Sequence, residues 1–411
     1  MTGCRLEALA RLLVASALAL GLSACGGGGS AATDTGAASL SAAAQLGEHI
    51  FSDVSLSASG RQSCATCHVP SRGHAPDNAL PAQPGGADML AQGTRDTPSI
   101  RYLRDDTAFH FASDGTPTGG FFWDGRAASL AAQAAQPFLN PLEMANADKA
   151  AVVAKLARAA YAQQFRQVYG DNIFADADAA FQRMTLAVQA YEQEDADFAP
   201  FTSKYDAFLH GQTTLSAQEL RGLALFNNPL KGNCSACHPS GKSVDGTPPL
   251  FTDFSYDNLG VPRNWDLVAN QDPRHFDLGL CASVEVADLP AVQRDALCGA
   301  FKVPSLRNVA LRQSFFHNGR FHTLKDALTF YVQRDLYPEK FYLKADGSVD
   351  CLPDGSVNKF NDLPSAYHRN VNTQEGPYNR HPGDAPALSD AEIDDVIAFL
   401  GTLSDGWSSA P

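Results

Sequence analysis

One short pattern occurs twice in this chain, and the repetition limits what it can fold into more than any other feature. The stretch Phe121-Phe-Trp-Asp-Gly-Arg126 returns as Phe315-Phe-His-Asn-Gly-Arg320. In both copies a leucine stands seven residues after the central ring, Trp123 to Leu130 and His317 to Leu324. Fourteen residues after that ring, Pro137 aligns with Tyr331. Each copy follows its own Cys-x-x-Cys-His, at Cys64-Ala-Thr-Cys67-His68 and Cys234-Ser-Ala-Cys237-His238. A motif pair that repeats in register marks two related structural units, so the folded chain divides into halves over 41–205 and 206–411.

Two cysteines three apart on one helical turn can add to the two vinyl groups of a haem, while the adjacent histidine turns its imidazole toward the iron. A zinc site built on the paired cysteines needs two more ligands at matched spacing and leaves the repeated histidine unexplained. The cofactors expected are therefore two covalent c-type haems on Cys64, Cys67, Cys234 and Cys237, with His68 and His238 as proximal ligands. The halves differ where Pro137 faces Tyr331, because a phenolate binds ferric iron and proline has no donor atom. The second haem is expected to be ligated by His238 and Tyr331. The first, held by His68 alone, keeps a sixth position open to peroxide.

Breaking the peroxide O–O bond requires a group that carries a proton from the iron-bound oxygen to the departing one, and a carboxylate can do this. Glu143 follows Asn140-Pro141 beyond Trp123, and Gln133 lies between them as a hydrogen-bonding partner. An oxidisable indole at Trp123 can relay electrons between two irons. Taken from the residues alone, Glu143 reads better as a solvated surface acid and Trp123 reads also as core, while the repeat register turns Tyr331 from a core aromatic into a ligand.

The 411 residues are 44% hydrophobic and 18% charged, ordinary for a globular protein and enough for two cores. A formal net charge of −14 argues against nucleic acid as a partner. Arg5 and Arg11 precede an apolar run from Leu12 to Leu22 that is too short to span a bilayer and suits an export signal over 1–24. Leu22-Ser23-Ala24-Cys25 resembles the bacterial lipobox, which makes Cys25 the lipidated first residue of a periplasmic protein; a plain secretory signal with Cys25 incidental is the alternative. Residues 25–40 are Gly, Ala, Ser and Thr almost throughout and read as a flexible tether. In an oxidising compartment Cys281 and Cys298, which belong to neither haem motif, are expected to pair, and Cys351 is left unassigned.

The coarse fold is all-α, two cytochrome c-like haem domains joined by long loops. Helical spacing at Leu46 to Phe51 precedes the first haem motif, as at Leu223 to Phe226 before the second. Amphipathic helices are expected over Ala147 to Tyr169 and Ala177 to Phe198, loop over Lys340 to Pro386, and a last helix from Ser389, capped with Glu392, through Leu403.

These residues carry a resemblance to the bacterial di-haem cytochrome c peroxidase and MauG superfamily from about Leu46 to Leu403. It rests on both Cys-x-x-Cys-His motifs, on Thr97-Pro98-Ser99, Phe122-Trp-Asp-Gly-Arg126, Asn140-Pro-Leu-Glu-Met144, Asn258-Leu-Gly-Val-Pro-Arg263 and Val303-Pro-Ser-Leu-Arg-Asn308. The resemblance implies that Trp123 is the inter-haem tryptophan, Glu143 the distal acid and Gln133 the distal glutamine. It also implies a calcium ion between the haems, held by a side-chain oxygen of Asp96, where the family has asparagine, and by the carbonyls of Arg312 and Ser314.

Within the superfamily the ligand at Tyr331 resembles MauG and its relative MbnH, whereas peroxidases fed by a small cytochrome place methionine there. The end segment, with Tyr367-His-Arg-Asn-Val371 and Leu388-Ser-Asp-Ala-Glu-Ile-Asp-Asp395, is most similar to the MbnH group. That resemblance implies a bis-Fe(IV) state made with hydrogen peroxide and spent on aromatic side chains, above all tryptophan, of an exported partner such as a small copper-binding MbnP-like protein. The alternatives are a cytochrome c peroxidase supplied by a small cytochrome or cupredoxin, and a non-catalytic di-haem electron carrier. MauG has a tryptophan just before its second haem motif where this chain has Gly232, so the exit route is open, with Trp265 and Trp407 as candidates. His74, close after His68, is either a distal group or a loop histidine.

Overall fold

A computed structural model describes residues 39–409. The expected signal peptide, nearly all of the tether and Cys25 lie outside the described residues. The first half contributes α1 (Ala42–Ser52), α2 (Cys64–Cys67), α3 (Leu130–Leu139), α4 (Lys149–Leu156), α5 (Ala162–Tyr169) and α6 (Ala177–Glu194). The second contributes α7 (Lys204–Leu209), α8 (Ala217–Asn227), α9 (Ala291–Asp295), α10 (Leu324–Gln333) and α11 (Asp390–Gly401). The described chain is mainly helical. What the sequence reads as bare loop also holds three two-stranded antiparallel ribbons, β1 (Pro84–Gly85) with β2 (Ala91–Gln92), β3 (His110–Phe111) with β4 (Pro117–Thr118), and β5 (Tyr256–Asp257) with β6 (Phe301–Lys302).

Two large hydrophobic cores hold most of these elements, with smaller clusters around Tyr256 and Phe121. One gathers buried side chains between Leu46 and Phe198, the other between Tyr205 and Leu403. In each, the helix before the haem motif crosses the last helix of its half, α1 on α6 and α8 on α11. Glycine makes both crossings close: a Cβ on Gly47 would lie 2.0 Å from the Ala187 carbonyl oxygen, and one on Gly222 would lie 2.0 Å from that of Asp395. Four residues beyond each glycine, one turn along the same face, Phe51 and Phe226 are buried.

The sequence repeat is also a conformational one. Phe122 and Phe316 both hold positive φ, 68° and 67°, a region that non-glycine residues rarely enter. The bridge Phe121 to Ala127 matches Phe315 to Phe321. Ser129 and Thr323 then cap α3 and α10 by accepting from a main-chain N–H three residues on. Pro137 therefore sits in α3 where Tyr331 sits in α10.

Three expectations needed adjustment. The helix expected over 147–169 is broken between α4 and α5, because Tyr161 donates to Asp53 at 2.7 Å and stacks on His49 with ring centroids 5.3 Å apart. Such tertiary contacts outweigh the helix propensity of an alanine-rich run. Helix α6 stops at Glu194 because Asp195 turns out of the helix and its carboxylate caps the next turn at Asp197. Residues 340–386 carry one 3-10 segment, Ser365–Asn370, and another, Pro338–Lys340, ends where the stretch begins. The capping box of Ser389 and Glu392 opens α11 as expected.

Cys281 and Cys298 are disulfide-bonded, and Cys351, which the sequence leaves unassigned, is disulfide-bonded too. Cys64, Cys67, Cys234 and Cys237 are the free thiols among the described residues.

Candidate functional site

Both Cys-x-x-Cys-His segments form a single turn that ends in the histidine. The His68 Nδ1 lies 3.2 Å from the carbonyl oxygen of His74, and that of His238 lies 2.7 Å from that of Phe251. A carbonyl at Nδ1 takes the ring proton there and leaves Nε2 free for a metal. Burial lowers both imidazoles below their ordinary pKa, His68 to about 4, so each stays neutral, as ligation requires. Burial also raises the free thiols, Cys64 to about 12 and Cys67 to about 11. Two protonated thiols and one oriented neutral imidazole, given twice, fit covalent c-type haem at each turn.

A cavity of about 260 Å³ lies against the second motif. His238, Cys234, Cys237, Tyr331 and Tyr378 line one part of it, and Trp123 and Arg312 reach another. Tyr331 on α10 is enclosed, its ring tilted against Phe316 and Tyr378 at centroid distances of 5.6 and 5.7 Å. Burial raises its phenol well above the ordinary value, with Asp257 adding to the effect. An anionic Tyr331 therefore requires a positive centre beside it, which ferric iron would supply. Tyr378 has no motif to mark it in the sequence; it follows a loop and is held by the buried Arg334, whose guanidinium carbon lies 4.9 Å from its ring centroid.

Between the halves, the Trp123 indole N–H donates to the Asp96 carbonyl oxygen at 2.7 Å. The Asp96 N–H donates in turn to the His317 carbonyl, also at 2.7 Å. His317, the repeat counterpart of Trp123, stacks flat on Phe301 at 3.5 Å. Arg95 clamps this region by bonding Asp124 at 2.7 Å and Asp277 at 2.6 Å, and so holds Asp277 below the usual carboxylate range.

Glu143 lies on the first-motif side, close enough to Cys67 for its charge to raise that thiol. Burial raises the Glu143 carboxyl above its ordinary value, against the opposing pull of Arg126. Its main-chain oxygen accepts from Gly86 at 2.7 Å and from the Gln62 amide, so the loop is fixed by backbone contacts and the carboxyl stays available. Gln133 is half-buried on α3. Arg126 joins the turn to that helix through Asp124 and Gln136, both at 2.8 Å.

His74 is a proximal-side loop residue. Its carbonyl faces His68, and its buried ring bonds Asp197 at 2.7 Å and stacks on Phe198 at 4.3 Å. The Trp265 indole donates to Leu343 at 2.9 Å, and Trp407 is half-buried near the end of the chain.

The three residues expected to hold calcium do come together, around a small cleft with Asn78 and Pro76. One carboxylate oxygen of Asp96 and one of the two carbonyls are already engaged. The Arg312 guanidinium bonds the Asp96 carboxylate, the Thr97 carbonyl at 3.1 Å and the Ser314 carbonyl at 3.2 Å. That donor set does not fit a calcium ion.

Paired Cys-x-x-Cys-His turns in a mainly helical chain, the second sharing a cavity with Tyr331, define a di-haem c-type oxidoreductase. The chain belongs to the di-haem cytochrome c peroxidase and MauG family. Residues 41–214 match the di-haem cytochrome c peroxidase family directly. The methylamine utilization protein MauG of Paracoccus denitrificans is 35% identical over 373 residues, covering 89% of each chain. The cytochrome c551 peroxidase of Pseudomonas aeruginosa is 30% identical over 69% of this chain and 70% of that one. Among solved structures, the diheme peroxidase BthA of Burkholderia thailandensis superposes with a TM-score of 0.80 at 40% identity, covering 89% of this chain and 86% of that one. A MauG-like protein associated with microbial copper homeostasis shares the fold at a TM-score of 0.59 and 24% identity, covering 89% and 90%. The family is one of peroxide-dependent oxidoreductases, which sets aside the non-catalytic carrier.

Proposed function

We propose that this enzyme spends the oxidising equivalents of peroxide on aromatic residues, chiefly tryptophan, of an exported partner protein, from a periplasmic position to which Cys25 anchors it by lipid. The observation that carries this reading is Tyr331, which lines one cavity with His238, Cys234 and Cys237. With haem held by His238, an oxygen ligand from Tyr331 would lower its potential and favour its oxidised forms, the condition for a bis-Fe(IV) state. Glu143 would move the proton at the first haem, with Gln133 on α3 as the distal glutamine. Trp123 stands between the two sites to carry electrons. The 35% identity to a MauG supports a protein substrate. A small copper-binding partner of the MbnP kind rests on the end-segment resemblance alone.

A second reading is favoured by relatives that are named cytochrome c551 peroxidases. It has the enzyme consume peroxide with electrons from a small carrier. Mass spectrometry of a co-exported partner incubated with holoenzyme and peroxide separates the two. Oxygen incorporated at a partner tryptophan supports the proposal, whereas no modification together with rapid turnover on reduced cytochrome c supports the peroxidase.

A further inference from the structure

We propose that the guanidinium of Arg312 is a built-in cation that stands in for a bound metal ion between the two haem sites, so that this enzyme works without calcium. Arg312 and Asp96 are brought together from distant parts of the chain and ion-paired with the Asp96 side chain fully buried. The same guanidinium also takes the main-chain oxygens of Thr97 and Ser314. A cation is thus already delivered to the carboxylate and to one of the two carbonyls that a calcium ion would need.

Charge and space argue the same way. Asp96 and Arg312 neutralise each other, and a divalent ion added beside a buried guanidinium meets strong repulsion at short range in a medium of low dielectric. Calcium takes six to eight oxygen ligands, often including waters. The cleft left around the pair, lined by Pro76, Asn78 and Gln313, does not admit a water molecule. The two buried oxygens without a hydrogen-bond partner there, Asp96 Oδ1 and Ser314 Oγ, supply too few donors to complete a shell.

The position gives the pair a structural task. The Asp96 carbonyl receives the Trp123 indole and the Asp96 N–H donates to the His317 main-chain carbonyl, so whatever neutralises the Asp96 side chain also fixes the Trp123 ring and the backbone of its repeat counterpart. A tethered guanidinium does this permanently, where a bound ion could be lost to a chelator. Arg312 is a positioning residue in this account.

The test measures metal content and spectra as well as turnover. Wild-type holoenzyme dialysed against EGTA should contain no stoichiometric calcium by elemental analysis, and its ferric spectrum and peroxide reactivity should not change when calcium is restored. Arg312→Gln frees the oxygens and should bind one calcium with a dissociation constant on the order of 10⁻⁴ M, at the weak end for such sites. Its Trp123 fluorescence and haem spectrum should then respond to calcium. Arg312→Lys, which keeps the charge, should remain calcium-free. One tightly held calcium in the wild type overturns the proposal outright, and so does Arg312→Gln that folds yet takes up none. If that variant fails to fold, the wild-type calcium content decides alone.

Discussion

Trp123 gives its indole hydrogen to the main-chain oxygen of Asp96 at 2.7 Å, and through this bond the ring between the two haem motifs is tied to a buried ion pair. Trp123→Phe keeps an aromatic ring and leaves the Asp96 carbonyl without its donor, at a cost of about 1–3 kcal/mol in stability. The variant should keep both haems and its ligation spectra, while the two irons share oxidising equivalents more slowly. Stopped-flow spectra after peroxide addition read this directly, and unchanged kinetics would reduce Trp123 to packing.

Glu143 is raised by burial, and its charge is felt by Cys67 of the first motif. Glu143→Gln should leave haem content and the spectrum of the Tyr331-ligated haem intact. It should slow the reaction with peroxide by roughly 10² to 10⁴, the range for a positioned proton-transfer group. An unaltered rate would return Glu143 to the role of a surface acid.

The helix crossings can be tested through stability. Gly222→Ala drives a methyl group into the Asp395 carbonyl and should cost about 3 kcal/mol, the upper end of overpacking penalties. Gly401→Ala lies on the partner helix α11 with open space around the new methyl and should change stability by less than about 1 kcal/mol. Thermal unfolding of the two holoenzymes should show the difference, and equal midpoints would mean the crossing yields easily.

Glu192 on α6 is fully buried, has an unpartnered oxygen, and is raised by burial to about 8. The fold thus favours the protonated acid. Stability from this group is fully present below its unfolded pKa near 4.5, falls as pH rises, and is lost by about pH 8. Glu192→Gln removes that dependence. Parent and variant should melt together at pH 5, and the variant should be more stable by a few kcal/mol at pH 9. Parallel melting curves at both pH values would show that the carboxyl has a partner.

The cysteine motifs, the repeat and the Ser389 cap are local patterns, and they were legible because a cap or a haem turn is decided within a few residues. So was the pairing of Tyr331 with Pro137, since α3 and α10 start from the same turn. The Arg312 guanidinium was not legible. Its carbonyl suggested a metal ligand, but only the folded chain shows the side chain swinging onto Asp96 from the other half. The same holds for Tyr161, whose bond to Asp53 breaks a helix its neighbours would continue, and for Tyr378, which reaches Tyr331 from a loop with no periodicity.

The last prediction concerns Tyr331, where the two readings of function part. Burial resists ionisation of its phenol, so a ligating Tyr331 must take its negative charge from the ferric iron beside it. A thioether in its place supplies no charge and raises the haem potential. Tyr331→Met should therefore raise the potential of the second haem, prevent the two-equivalent oxidised state from accumulating and stop modification of the partner. Reaction of peroxide at the first site should continue, because Glu143 and His68 are untouched. Redox titration with visible spectra follows the first effect, and mass spectrometry of the partner follows the last. If the variant oxidised its partner as fast as the parent, or its ligation spectrum did not change, Tyr331 would be a core aromatic and the carrier-fed peroxidase would be the better account.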